Sequence, residues 1–121
     1  YCFFEGELTQ VSEDHSLVNE YIKAGQITKE QAKTFPHKNV IMRALGMKNN
    51  VLVDIQKRTA RAGEIYLLCS DGLSDMVSDP DMEAVLGSGV SLEEMTRQLV
   101  DMANANGGKD NITVILVKVE P

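Results

Sequence analysis

The chain has 121 residues and a mass of 13.3 kDa, the size of one small domain, and 43% of its residues are apolar, enough for a hydrophobic core. Its formal charge of -6 and isoelectric point near 4.8 argue against nucleic acid or an anionic membrane as a partner. The apolar runs are too short to cross a bilayer, and two cysteines are too few for a disulfide framework. We therefore expect a soluble, cytoplasmic protein.

The first segment predicts a β-hairpin. The segments at residues 1–4 and 8–11 flank Gly6, which can adopt the positive φ of a tight reversal. The chain starts within an aromatic run that is typical of the inside of a strand. We therefore expect further sequence upstream of Tyr1.

A helical segment is predicted next. Apolar side chains recur at helical spacing over residues 17–22, and Ser12 or Asp14 is the candidate N-cap. A capping box at residues 28–31 begins a second, short helix. Together these patterns predict a helical excursion over about residues 19–50, which we interpret as a flap over the body of the domain.

Three further strands are predicted. The alternation at residues 51–56 suits a strand with one buried face. Residues 65–69 and 112–119 are apolar at nearly every position, which is typical of central strands covered on both faces.

Two helices are predicted between the last two strands. Asp79 as N-cap and Pro80 at the first helical position begin a short helix that ends near Gly87. A capping box at Ser91 begins a longer amphipathic helix that ends at residues 106–108.

Two acidic turns carry the candidate chemistry. Asp71 directly follows one buried strand, Asp110 precedes another, and Asp75 shares a face with Asp71 if the turn between them is helical. Gly72 allows a tight turn beside Asp71. An isolated Asp-Gly pair is usually only a turn. Two such turns tied to buried strands, without a His or Cys cluster, favour Mg²⁺ or Mn²⁺ over zinc.

The same turns resemble motifs of a known family. Residues 69–75 and 108–113 are similar to the two C-terminal metal motifs of the metal-dependent protein phosphatases of the 2C type (PPM). Residues 6–10, 13–18 and 43–46 are similar to segments of the bacterial branch of that family, in the same order. The resemblance covers nearly all of the chain.

The resemblance implies an α+β fold, the C-terminal half of an α-β-β-α sandwich with largely antiparallel sheets flanked by helices. Residues 1–121 would then be a partial phosphatase domain that contains the flap. It also implies hydrolysis of phosphoserine and phosphothreonine in proteins by a water that bridges two Mn²⁺ or Mg²⁺ ions. These phosphorylated proteins would be the substrates.

Site residues follow from the same resemblance. Asp71 and Asp110 would each bind one metal of the pair, and Asp75 would help Asp71 to hold a weaker third ion. Gly72 and Asn111 would support the two turns. No catalytic residue is assigned, because the family's N-terminal half supplies the bridging aspartate, a second Asp-Gly turn, the phosphate-binding arginine and the acid histidine. The isolated chain is therefore expected to be inactive, to need that missing half, and to expose strands that invite homo-oligomers.

Several alternatives stay open. A non-catalytic binding or regulatory module of the same fold would keep the sheet and flap without turnover. An EF-hand-like Ca²⁺ site is disfavoured by the aspartate spacing. We interpret His15 as bracing a helix start and His37 as a loop residue. For Arg43 we prefer a structural ion pair to a contact with substrate phosphate.

Overall fold

A computed structural model describes residues 1–32, 34–36 and 40–121 of the chain. The chain forms two compact units. The first contains residues 1–12 and 58–121, and the second contains residues 13–57. None of the helices in the described ranges has both the length and the apolar character needed to cross a bilayer.

The secondary structure of the described residues follows the predicted order except at residues 51–56, where no strand forms. Its elements are β1 (Cys2–Phe4), β2 (Glu7–Thr9), α1 (Leu17–Lys23), α2 (Lys29–Ala32), β3 (Ile65–Cys69), α3 (Asp71–Ser74), α4 (Asp79–Leu86), α5 (Leu92–Ala105) and β4 (Val114–Lys118).

The first unit is built on an antiparallel sheet with the order β2-β1-β3-β4. The predicted hairpin is confirmed as β1 and β2, and Gly6 takes the positive φ of 85° at its reversal. Strands β3 and β4 pair from Ile65 with Lys118 to Cys69 with Val114. The mixed helices and antiparallel sheet confirm the predicted α+β class.

Helices α4 and α5 supply most of the core beside one face of this sheet. Leu67 of β3, Leu86 of α4 and Leu99 of α5 are at most 2% exposed. The predicted start of α5 is confirmed, since the hydroxyl of Ser91 accepts a bond from the amide of Glu94 at 3.2 Å.

The opposite face of the sheet differs from the prediction of strands covered on both sides. Leu68 on β3 is 54% exposed, and its partner Ile115 on β4 is 53% exposed. Strand β4 is also an edge strand of the sheet formed by the described residues. Burial of both faces was therefore wrong for this chain, because no described residue covers these side chains.

The second unit contains α1 and α2. The rings of Tyr21 and Phe35 pack with centroids 5.2 Å apart. The predicted capping box is confirmed, because Thr28 and Gln31 exchange backbone-to-side-chain bonds of 2.8 and 3.2 Å. The flap interpretation of residues 19–50 stays a prediction.

Two helix starts were placed wrongly from sequence. The cap of α1 is Ser16 instead of Ser12 or Asp14, and the cap of α4 is Ser78 instead of Asp79. In each case a serine in extended conformation directly precedes the helix, and its hydroxyl reaches an amide of the first turn.

The strand predicted at residues 51–56 is not formed. These residues have no strand pairing within the described chain, and Leu52, Val53 and Ile55 are 77%, 71% and 80% exposed. Alternation alone was insufficient, since a strand also needs a neighbour to complete its hydrogen bonds.

Candidate metal centre

The first acidic turn is helical, which meets the condition under which Asp71 and Asp75 share a face. Helix α3 begins at Asp71 immediately after β3, and the amide of Asp75 donates to the carbonyl of Asp71 at 2.8 Å. Residues four apart on a helix lie on one face. Asp71 and Asp75, both exposed, thus belong to the same face of this short helix.

The second turn precedes β4. Gly107 and Gly108 have positive φ values of 126° and 50°, which allow the chain to reverse after α5. The carboxylate of Asp110 accepts the amide of Asn111 at 2.7 Å. This bond orients the exposed Asp110 side chain. The bond uses the backbone of Asn111, and the supporting role expected of that residue stays a prediction.

Ser70 connects the two turns. Its hydroxyl donates to the carbonyl of Asn111 at 2.9 Å and accepts the amide of Thr113 at 3.0 Å. Its own amide donates to the carbonyl of Thr113 at 3.1 Å. The turn that carries Asp71 is therefore bonded directly to the segment that follows Asp110.

Gly72 allows the same two segments to touch. A Cβ at this position would lie 2.2 Å from the carbonyl oxygen of Asn111 and 3.4 Å from the carbonyl carbon of Asp110. Gly72 is helical and has no positive φ. Its role is close backbone approach, whereas the sequence had suggested conformational freedom for a tight turn.

The donor set suits a hard cation but is incomplete. Exposed aspartate carboxylates are oxygen ligands of the kind that Mg²⁺ prefers. Over residues 1–32, 34–36 and 40–121, however, no three His, Cys, Asp or Glu side chains group closely enough to hold a metal ion. The structure thus brings together the two acidic turns, and Asp71, Asp75 and Asp110 do not complete a metal site by themselves.

His15 and Arg43 are engaged within the second unit. The carboxylate of Asp54 lies 2.6 Å from Nε2 of His15 and accepts Nη1 of Arg43 at 2.9 Å. Hydrogen bonds from His15 and then Arg43 hold the pKa of Asp54 below its ordinary value. Arg43 therefore forms a structural ion pair, as its preferred interpretation had it, whereas the ring of His15 contacts Asp54 and no bond from it to the start of α1 is described. The interpretation of His37 falls outside the described residues.

Sequence reasoning overlooked Ser70 and Thr113 as functional candidates. Both stand inside the motifs that drew attention, but a hydroxyl before an Asp-Gly pair was given no role. The partner of that hydroxyl is 41 residues away, so only the fold could reveal the contact.

Comparison with known proteins points to the same phosphatase family that the motifs in the two turns resemble. No family model matches the sequence. A Streptococcus pyogenes protein whose name assigns it to the phosphatase 2C type is 43% identical over 116 residues, covering 96% of this chain and 47% of that protein. The Mycobacterium tuberculosis serine/threonine phosphatase PstP/Ppp superposes with a TM-score of 0.94 at 40% identity, over 100% of this chain and 51% of the other.

A further solved structure holds metal. The catalytic domain of the serine/threonine protein phosphatase PstP, in complex with two manganese ions, matches with a TM-score of 0.83 at 39% identity, over 100% of this chain and 49% of that domain. The chain spans about half the length of the relatives that it matches. Sequence and fold place it in the bacterial branch of the metal-dependent protein phosphatase 2C family, as its motifs predicted.

Proposed function

We propose that this chain supplies part of a Mn²⁺- or Mg²⁺-dependent protein phosphatase that acts on phosphoserine and phosphothreonine of cytoplasmic proteins. The observation that carries the proposal is the bonded contact between the Asp71 and Asp110 turns at one end of β3 and β4. The two manganese ions of the similar PstP domain support the choice of cation.

Each residue of the turns has a proposed task. Asp71 and Asp110 would each hold one ion of a pair, and Asp75 with Asp71 would hold a weaker third ion. A metal pair held by Asp71 and Asp110 would supply an activated water for attack and would neutralise the phosphoryl oxygens. The hydrogen bond that the Asn111 amide donates to Asp110 would keep one carboxylate oriented before the cation arrives.

We propose that turnover needs a complementary segment, the family's N-terminal half. Two observations support it: the incomplete ligand set among the described residues, and the coverage of only about half of each relative. The open sheet face adds a third, since Leu68, Ile115 and Val117 are 54%, 53% and 49% exposed. Neighbouring exposed apolar side chains on one face are typical of an interaction surface, and the proposed complementary segment would cover this one.

A binding module without turnover is the second candidate. It is favoured by the lack of any three-ligand group among the described residues. In that case a protein partner would dock on the open sheet face and no added segment would restore phosphate release. Self-association through the same face would give a homo-oligomer of the chain.

The test joins residues 1–121 to the part of the Mycobacterium tuberculosis phosphatase that this chain does not match. We expect Mn²⁺-dependent phosphate release from a phosphothreonine peptide. Asp71→Asn or Asp110→Asn should lower it by roughly 100-fold or more, because each removes a metal ligand. Asp101→Asn, at an exposed position on α5, is the matched control and should leave it unchanged.

Two outcomes would contradict the proposal. Activity that survives in both aspartate variants would defeat the metal assignment. A folded, Mn²⁺-binding fusion without phosphate release would favour the binding module.

A further inference from the structure

Ser70 uses its hydroxyl differently from the other N-cap serines. The hydroxyls of Ser16, Ser78 and Ser91 each accept an amide from the first turn of their own helix. Ser70 precedes α3 in the same extended conformation, yet its side chain makes no capping bond. The hydroxyl is directed instead toward the far turn, at Asn111 and Thr113.

A hydroxyl serves both bonds at that point. It donates to the carbonyl of Asn111 and accepts the amide of Thr113, because a hydroxyl is both a donor and an acceptor. The regular pairing of β3 and β4 ends at Cys69 with Val114. The bonds between Ser70 and Thr113 thus continue the pairing of β3 and β4 by one residue on each strand, next to the two acidic turns.

The link reaches the carboxylate of Asp110 through one residue, Asn111. Asn111 receives the Ser70 hydroxyl at its carbonyl and donates its amide to Asp110. A shift of Asn111 would therefore move the Asp110 side chain relative to Asp71. The backbone of Asn111 is also in close contact with Gly72, where even a Cβ would collide with it.

We propose that Ser70 is a positioning residue that fixes the Asp71 turn relative to the Asp110 turn, so that both bind one metal cluster as a unit. The inference rests on the proposed function for the identity of the cation. The mechanical link itself rests only on the hydrogen bonds and the close approach at Gly72.

The first test needs no metal and uses the 121-residue chain. Amide hydrogen exchange at Thr113 is followed by NMR in the wild type, Ser70→Ala, Ser70→Thr and Ser91→Ala. We expect exchange at Thr113 to be about 10-fold faster in Ser70→Ala, because one hydrogen bond is lost, and to recover in Ser70→Thr. Ser91→Ala removes a helix cap, so it should lower Tm yet leave Thr113 unchanged.

The second test adds Mn²⁺ to the fusion of residues 1–121 with the complementary part of the Mycobacterium tuberculosis phosphatase, and it follows paramagnetic broadening of the amide signals of Asp71 and Asp110. In the wild type and in Ser70→Thr both signals should broaden over one concentration range. In Ser70→Ala the two ranges should separate by about 10-fold, since the turns no longer act together. In Ser91→Ala both signals should broaden over one concentration range, as in the wild type, whether or not its Tm is lower.

Failures of the two proposals look different. If Mn²⁺ broadens both signals together in Ser70→Ala, or if Ser91→Ala reproduces its effects, the positioning role is overturned and the metal role stands. If Mn²⁺ broadens neither signal in the wild-type fusion, the metal role fails, and Ser70 is then only a structural link, as judged by exchange at Thr113.

Discussion

Gly72 has no Cβ, and this allows the two acidic turns to approach each other closely. A methyl carbon at this position would lie 2.2 Å from the carbonyl oxygen of Asn111, far below van der Waals contact. Because the obstructing atom belongs to the backbone, no side-chain rotation could relieve the overlap.

Gly72→Ala should therefore push the turns apart. We expect a loss of about 2 kcal/mol in the free energy of unfolding, in the range of overpacked sites, together with weaker Mn²⁺ binding by the fusion protein. Urea unfolding and Mn²⁺ titration measure the two effects. Ser74→Ala, at an exposed position of the same helix, is the control. Equal behaviour of both variants would mean that the close approach is unimportant.

Glu64 is a buried carboxylate that the site does not use. It is 1% exposed and accepts the Arg61 amide at 3.1 Å, the Tyr66 hydroxyl at 2.8 Å and Arg61 Nε at 3.0 Å. The amide of Arg61, then the hydroxyl of Tyr66, then the Arg61 side chain lower the pKa of Glu64 from 4.5 to about 2. The guanidinium of Arg61 also stacks 4.1 Å from the ring centre of Phe4.

This pKa predicts how stability depends on pH. A carboxylate whose pKa is lower in the folded state stabilises the fold above pH 4.5, and that contribution is lost as the pH falls toward 2. Glu64→Gln should be less stable than the wild type at pH 7 and should lose less stability on acidification. Urea midpoints between pH 7 and 2.5 measure this, with the exposed Glu93→Gln as control. Parallel profiles for Glu64→Gln and the wild type would contradict it.

At the scale of elements, α5 anchors the sheet that presents the turns. Its apolar stripe recurs at helical spacing, and Met95, Leu99 and Ala103 are buried beside β3 and β4. The helix also ends at the glycine turn that leads to Asp110. Packing of α5 therefore sets the position of the second acidic turn.

Leu99→Ala should destabilise the chain by about 2–5 kcal/mol, because the side chain is fully buried and its removal leaves a cavity. Thermal or urea unfolding measures the change. Asp101→Ala, two residues along and exposed, should alter stability by about 0.5 kcal/mol or less. A Leu99→Ala loss as small as that of the control would show that α5 is not the anchor.

Elements with local signals were predictable from sequence. The hairpin at Gly6, the capping box of α2 and the Ser91 start of α5 each depend on residues a few positions apart. The segment at residues 51–56 was not, because its strand pattern finds no pairing partner in the described chain. The exposed face of β3 and β4 has the same cause, since apolar composition does not say which segment covers it.

The candidate site was predictable in composition but not in contacts. Asp71, Asp75 and Asp110 follow from motif resemblance, and the structure adds that their turns touch. The roles of Ser70 and of Gly72 depend on a backbone approach between segments about 40 residues apart. No periodicity or local pattern encodes such an approach.

At the scale of the whole molecule, the chain has a well-packed core on one side of its sheet and an open apolar face on the other. Its metal-ligand set is likewise partial among the described residues. Both features have one explanation if a complementary segment covers the face and completes the ligands, as the length of the relatives suggests.

The most direct measurement is anomalous diffraction at the manganese edge from crystals of the fusion protein soaked in Mn²⁺. The account predicts anomalous peaks within coordination distance of the carboxylates of both Asp71 and Asp110, with ligands from the added segment completing the shell. Peaks that avoid either aspartate, in a fusion that releases phosphate, would contradict it.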